Sequence, residues 1–162
     1  MDPSDMKRLL VIREEREKKA RRALEAALRV KRNAEATFQQ GYQDFLGHRQ
    51  HLLDYVAKRR DEMMETGASV SEFENHKQVV KRIEEEVISK MRKVRELKGE
   101  VDKAEQALQA ERAKFLKANR DKIRLENLES MILEELAREE ERAEEQEIEE
   151  VAGDRKPPTI QF

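Results

Sequence analysis

The side chains best suited to hold a metal ion are two histidines three residues apart, His48 and His51, with Asp44 one helical turn before His48. Imidazole and carboxylate groups at this spacing bind a transition metal only weakly. A structural metal site needs about four converging ligands, and this pattern supplies three. We therefore predict that these residues are ordinary polar side chains and that the protein has no metal site.

The sequence offers no other set of residues with a catalytic pattern. Carboxylates are abundant, but general acid–base catalysis needs a cleft that shifts their pKa values. Serine and threonine are few and far from the histidines, and the chain has no cysteine. It also lacks the glycine-rich phosphate-binding and dinucleotide-binding motifs. We predict that the protein is not an enzyme and needs no cofactor.

The composition excludes a compact globule with a thick core. Of 162 residues, 43% are charged, 37% hydrophobic and only 4% aromatic, whereas globular chains are about 25% charged. With a net charge of −2, the chain lacks the excess of basic residues that is typical of nucleic-acid binding. No apolar run approaches the roughly 18 residues of a membrane span, and the acidic start is not a secretory signal. We expect a soluble, intracellular protein without nucleic acid or stable membrane insertion.

A heptad pattern in the second half favours a coiled coil over disorder. Apolar residues alternate at spacings of three and four, which is typical of an a/d seam. One row is Phe73, Val80, Val87, Val94, Val101, Leu108 and Phe115; the other is His76, Ile83, Lys90, Leu97, Ala104, Glu111, Ala118, Leu125 and Ile132.

The first half carries a weaker seam of the same kind. One row is Leu10, Glu17, Leu24, Lys31, Phe38, Phe45 and Leu52; near the other lie Ala20, Ala27, Ala34, Tyr42, Val56 and Met63. The apolar face is wider than a two-helix seam requires at Tyr42, Leu46, Leu53 and Tyr55. Such flanking groups are candidates for a partner surface.

The only internal break in the helical pattern lies at residues 66–71. Gly67 can end a helix there, and Ser71 with Glu74 is typical of a capping box at the start of the next helix. We predict an all-α fold: helix one at about 3–65, a turn at 66–70 and helix two at about 71–150. The short connection favours an antiparallel coiled-coil hairpin (1–152) within one monomeric chain. A parallel dimer with a flexible joint is the alternative. The tail 153–162 is predicted to be disordered.

Charge varies along the predicted helices. Residues 13–32 hold nine Lys/Arg and four Glu, and in a hairpin they lie beside the basic segment 107–126. Residues 139–150 hold eight Glu and one Arg and form an extension of the longer second helix. These segments are either solvated helix faces or ends that dock electrostatically on a partner.

The segment 68–84, ASVSEFENHKQVVKRIE, resembles the start of helix two in the YscO/FliJ family of type III secretion stalk proteins. A Ser/Thr turn there precedes an aromatic residue and an apolar-periodic run. The resemblance extends to the length, the two long helices and the charged C-terminal helix, and the YscO-like branch is the nearer one.

This resemblance implies a central-stalk-like role at the cytoplasmic face of a bacterial secretion apparatus. Family members bind the hexameric export ATPase, the cytoplasmic domain of the export gate and export chaperones. The implied ATPase-binding residues are Arg13, Arg16, Lys18, Lys19, Arg21, Arg22, Lys117, Arg120 and Arg124. The implied gate- or chaperone-binding residues are Phe73, His76, Val79 and Ile83, with Tyr42, Phe45 and Leu52 in the first helix.

Two other hypotheses remain open from the sequence. The chain is a passive coiled-coil scaffold or spacer in one of them. In the other it is a clamp on a membrane surface or nucleic acid, using the basic segment 13–32. The acidic segment 139–150 argues against the clamp.

Overall fold

The computed structural model describes residues 2–154 and consists of two long helices that pack against each other. Helix α1 is Pro3–Thr66 and helix α2 is Val70–Asp154. No strand occurs in this part of the chain, so the predicted all-α helical hairpin is confirmed. The predicted tail lies outside the described residues from position 155 onward.

Helix α1 begins at a capped end. The backbone N–H of Ser4 donates to Asp2 Oδ1 at 3.3 Å, and the N–H of Met6 donates to the Asp2 carbonyl oxygen at 3.0 Å. Pro3 occupies the first helical position, where its missing N–H costs no hydrogen bond. Helix α1 therefore begins at Pro3, with Asp2 as its cap.

The connection between the helices is short and depends on one glycine. Gly67 has a φ of 69°, the left-handed geometry that ends a helix with little strain. The cap of α2 is Ser69 rather than the predicted Ser71. Its Oγ accepts from the Glu72 N–H at 3.2 Å, and its carbonyl accepts from the Phe73 N–H at 3.0 Å. Ser69 and Glu72 have the same S-x-x-E spacing, two residues earlier than predicted.

The chain divides into two units, which we name by position. The turn unit is Arg22–Ala113, and the terminal unit combines Met1–Arg21 with Lys114–Phe162. Each contains parts of both helices.

An apolar seam joins the two helices in the turn unit. Its buried residues are Ile83, Val101, Ala104 and Leu108. Lys31 pairs with Glu105, and the rings of Tyr55 and His76 stack with centroids 5.9 Å apart. Lys31, early in α1, thus contacts Glu105, while Tyr55, later in α1, contacts the earlier residue His76 of α2. The two helices of this unit are therefore antiparallel.

The seam in α1 passes through Gly41, one position before Tyr42, which the sequence placed near this row. A Cβ added to Gly41 would lie 2.6 Å from Leu97 Cδ1, so α2 approaches α1 closely here. Gly41 continues the seven-residue step from Ala34. Tyr42 flanks the seam and is 40% exposed, in agreement with the wider apolar face expected there.

The terminal unit has a more polar seam. Met6 is buried, but so is the carboxylate residue Glu17, at 2% exposure. Glu17 pairs with Arg21 on its own helix and with Lys122 at 3.5 Å across the seam. Arg13 pairs with Asp121 at 3.5 Å. Charged pairs thus replace apolar contacts at these positions.

The end of α2 is exposed. From Leu133 to Asp154 every residue is exposed, so this segment has no packed partner among the described residues. Neither helix, within residues 2–154, contains a stretch long and apolar enough to cross a membrane.

Gly47 offers a test of helix stability. It is exposed within α1, and no atom lies within 4 Å of an added Cβ. We expect Gly47→Ala to raise the free energy of unfolding by about 0.5–1 kcal/mol, because alanine loses less backbone entropy on folding. Urea denaturation followed by circular dichroism measures this. Gly67→Ala is the control and should lower the free energy by about 1 kcal/mol, since alanine disfavours a positive φ.

Candidate functional site

An apolar groove lies beside the connection between the helices, within the turn unit. Its volume is about 550 Å³. The last turns of α1 and the first turns of α2 form its walls. The apolar lining is Val56, Met63, Met64, Ala68, Phe73 and Val80, and the polar lining is Arg60, His76, Lys77, Lys81 and Glu84. We call this the turn groove.

The turn groove presents large apolar side chains to solvent. Met64 is 80% exposed and Phe73 is 47% exposed. The Lys77 ammonium lies 4.8 Å from the centroid of the Phe73 ring, a cation–π distance. Exposed apolar groups next to cations are suited to binding an amphipathic partner rather than a small polar ligand.

The predicted gate-binding residues of α2 occupy different places. Phe73 and His76 line the turn groove. Val79 and His76 line a second depression together with Tyr55. Ile83 is buried in the seam, at 8% exposure. A partner in the turn groove would therefore contact Phe73 and His76 directly, while Ile83 supports the seam beneath.

His76 connects these two depressions. Its ring stacks on Tyr55, and its Nδ1 is buried without a hydrogen-bond partner in the described part of the chain. An unsatisfied buried nitrogen is destabilising unless a ligand or water supplies the hydrogen bond. Among the described residues of the turn unit, His76 is the one whose side chain has a buried polar atom without a hydrogen-bond partner.

The three predicted residues of α1 lie farther along the turn unit. Tyr42 is exposed and packs between Phe38 and Phe45, with ring centroids 6.2 and 6.3 Å away. Phe45 and Leu52 are half-buried members of the seam row. Of the three, Tyr42 is the one positioned to contact a partner.

Sequence reasoning did not assign the groove residues of α1 to a site. Val56 and Met63 were expected near the seam, and Met64 had no role. A second stripe at positions 42, 46, 49, 53, 56, 60 and 63 repeats at spacings of three and four. This spacing was the available signal, since it marks a helix face adjacent to the first seam.

The predicted ATPase-binding residues are mostly exposed cations. All of them belong to the terminal unit except Arg22, which is exposed in the turn unit. Arg13 is half-buried in its pair with Asp121, and Arg21 lies 5.9 Å over the Phe115 ring. Among the predicted residues, those that are exposed in the terminal unit are Arg16, Lys18, Lys19, Arg21, Lys117, Arg120 and Arg124. We call these seven residues the basic end.

Residues 2–154 contain no cluster of side chains suited to a metal ion. No group of three or more His, Asp or Glu side chains there is arranged to hold a metal ion. His48 Nδ1 is 2.8 Å from the Asp44 carbonyl oxygen, to which it donates when protonated at that nitrogen. The contact uses the Asp44 backbone, not its carboxylate.

A cross-helix ion pair gives the turn unit a dependence on pH. The hydrogen bond from Lys31 lowers the pKa of Glu105 below its ordinary value of 4.5, with a smaller effect from Gln109. The same bond raises the pKa of Lys31 above 10.5. The stabilisation of the folded protein by ionised Glu105 is fully present above pH 4.5 and is lost as pH falls through the lowered pKa of this residue. The stabilisation by charged Lys31 is fully present below pH 10.5 and is lost as pH rises through its raised pKa.

We expect Glu105→Gln to lower the stability of the protein slightly at neutral pH, because the pair is partly exposed and screened. The difference from the wild type should disappear in acid, where both proteins carry an uncharged side chain at 105. Thermal unfolding at several pH values measures this. Glu100→Gln is a matched control, because Glu100 is exposed and pairs only along its own helix with Lys103.

Comparison with known proteins identifies one family. A family model described as YscO-like protein matches residues 1–154, which is nearly the whole chain. Comparisons with curated proteins and with solved structures give no significant match.

Proposed function

Because the chain belongs to the YscO-like family of type III secretion proteins, we propose that it is a central-stalk-like component of the secretion apparatus. In this role it binds the hexameric export ATPase and couples it to the export gate and export chaperones. The family is one of non-enzymatic secretion components. The observation that carries the proposal is the family match over a two-helix hairpin that has an exposed basic end and an exposed apolar groove.

The basic end is the proposed ATPase-binding surface. Its seven cations are exposed. Apart from Arg21, which pairs with the buried Glu17, they can meet acidic groups of a partner without giving up a contact to a buried residue. Charge complementarity of this kind speeds association and fixes orientation more than it adds affinity. Binding here should therefore weaken as salt concentration rises.

The turn groove is the proposed surface for the export gate or a chaperone. Phe73 and His76 already belonged to the set implied by the family resemblance, and both line the groove. Exposed aromatic groups next to a basic rim are common in the centre of protein interfaces. Met64, Val56 and Met63 extend this surface onto α1.

The protein would act by binding rather than by chemistry. It would bind the conformations of the ATPase subunits with different affinities, and so shift their populations. The energy comes from ATP hydrolysed by the partner. The work would take place at the cytoplasmic face of the apparatus.

Titration of the cognate ATPase tests the proposal. We expect added protein to raise ATP turnover or to promote hexamer assembly. Charge reversal at the basic end, Arg16→Glu with Lys19→Glu and Lys117→Glu, should weaken this effect by about tenfold or more at low salt. Reversal of Lys77 and Lys81 in the turn groove is the control and should leave ATPase stimulation unchanged.

The same titration separates the stalk from a passive scaffold. A scaffold binds without changing turnover or assembly, and this result would contradict the proposed coupling. Salt-sensitive binding to anionic vesicles or DNA, without any effect on the ATPase, would instead support a clamp on those surfaces.

A further inference from the structure

The turn groove has an excess of positive charge at its edge. Arg60, Lys77 and Lys81 line it and are exposed, whereas Glu84 is its only acidic lining residue. Lys77 and Lys81 are four residues apart and lie on one face of α2. An occupant of this groove needs apolar side chains flanked by negative charge.

The exposed end of α2 has that chemistry. Residues 139–150 contain eight Glu and one Arg, and all are exposed. Ile148 and Val151 are 68% and 50% exposed, and they line a shallow depression with Glu147 and Ala152. This segment is an acidic helix with a small apolar face.

The spacing on this helix suits the groove. Ile148 and Val151 are three residues apart and share one face. Glu144 precedes Ile148 by four residues, and Glu147 precedes Val151 by four, so carboxylates border the apolar pair on the same side. A helix that lays such a face into an apolar groove is a common mode of recognition.

We propose that the acidic end of α2, residues 139–151, of one molecule docks into the turn groove of a second copy of this chain. Ile148 and Val151 cover the apolar lining near Phe73, and Glu144 and Glu147 pair with Lys77 and Lys81. If each of two molecules inserts its acidic end into the other's groove, the contact is reciprocal and closes as a dimer. Phe73 is then covered, so self-association and binding of another partner at the groove exclude each other. The proposal goes beyond the stalk function and does not depend on it.

Sedimentation of the full chain over a range of protein and salt concentrations tests the proposal. We expect a weak self-association that strengthens with protein concentration and declines as salt screens the charges. Charge reversal in the groove, Lys77→Glu with Lys81→Glu, should weaken it by about tenfold or more. Reversal at the acidic end, Glu144→Lys with Glu147→Lys, should do the same. Lys58→Glu with Lys93→Glu is a control with an equal charge change outside the turn groove.

Mixing the two reversed variants gives the sharpest result. Each reversed groove then meets a reversed acidic end, and each wild-type groove meets a wild-type acidic end. The mixture should associate, although each variant alone remains monomeric.

Circular dichroism of each variant shows that its helices are intact. Monomeric wild-type protein at all concentrations, or a mixture that stays monomeric, would overturn the proposal. So would a salt-dependent compaction independent of concentration, because the contact would then lie within one molecule.

Discussion

Leu108→Ala should lower the free energy of unfolding by about 2–4 kcal/mol. Leu108 is 2% exposed and is one of the two largest fully buried side chains among the described residues. Truncation removes the transfer free energy of the lost methyl groups and leaves a cavity between the helices. A seam of two helices has no second layer of side chains to fill that cavity, although its surface can relax partly.

Chemical denaturation of Leu108→Ala measures this loss. Ile88→Ala is the matched control, because Ile88 is in the same helix and unit but is 45% exposed. It should lower stability by well under half as much, since much of its side chain already contacts water. Equal losses for the two variants would contradict a seam centred on Leu108.

The second large effect concerns the buried pair of Glu17 and Lys122. We expect Lys122→Met to lower the free energy of unfolding by about 2–4 kcal/mol, because it leaves the Glu17 carboxylate buried without its cross-helix partner. Arg21 still contacts Glu17, but Arg21 is more than half exposed and provides only part of the compensation. Glu17→Leu should cost less, since Lys122 is a quarter exposed and also contacts Glu126.

The double variant Glu17→Leu with Lys122→Met distinguishes the pair from its parts. Two apolar residues remove both desolvation costs and extend the seam, so we expect stability equal to or above that of the wild type. Thermal unfolding of the wild type, both single variants and the double variant completes the cycle. A double variant as unstable as Lys122→Met would contradict the assignment of these positions to the seam.

Helix type and most of the seam could be predicted because they follow from local sequence. A continuous run without proline, a heptad repeat from Phe73 to Leu108 and one left-handed glycine leave little choice of fold. The family resemblance carried by the segment from Ala68 to Glu84 is confirmed by the family match. The metal-free interpretation of His48 and His51 stays a prediction for the chain as a whole.

Two details could not be predicted. The S-x-x-E spacing occurs at both Ser69–Glu72 and Ser71–Glu74, so the sequence left two starts of α2 open, and the structure uses the first. The seam passes through Gly41, one position from Tyr42, and the close approach of Leu97 that marks this position depends on the opposite helix. The walls of the turn groove are close in sequence, on either side of the connection, but its wall in α1 follows the second stripe of that helix rather than the predicted seam, so the groove was not predicted. Which residues contact the ATPase and the gate stays a prediction.

Everything proposed here depends on helices that fold back on each other within one chain. Paired spin labels at positions 31 and 105 measure this most directly, because Lys31 and Glu105 meet across the seam and the native chain has no cysteine to interfere. We expect one narrow, short distance, consistent with helix axes about 8–10 Å apart. It should be unchanged when labelled protein is diluted with unlabelled protein. A long or broad distance, or a short one that vanishes on dilution, would show that the helices pair between chains and would contradict the hairpin.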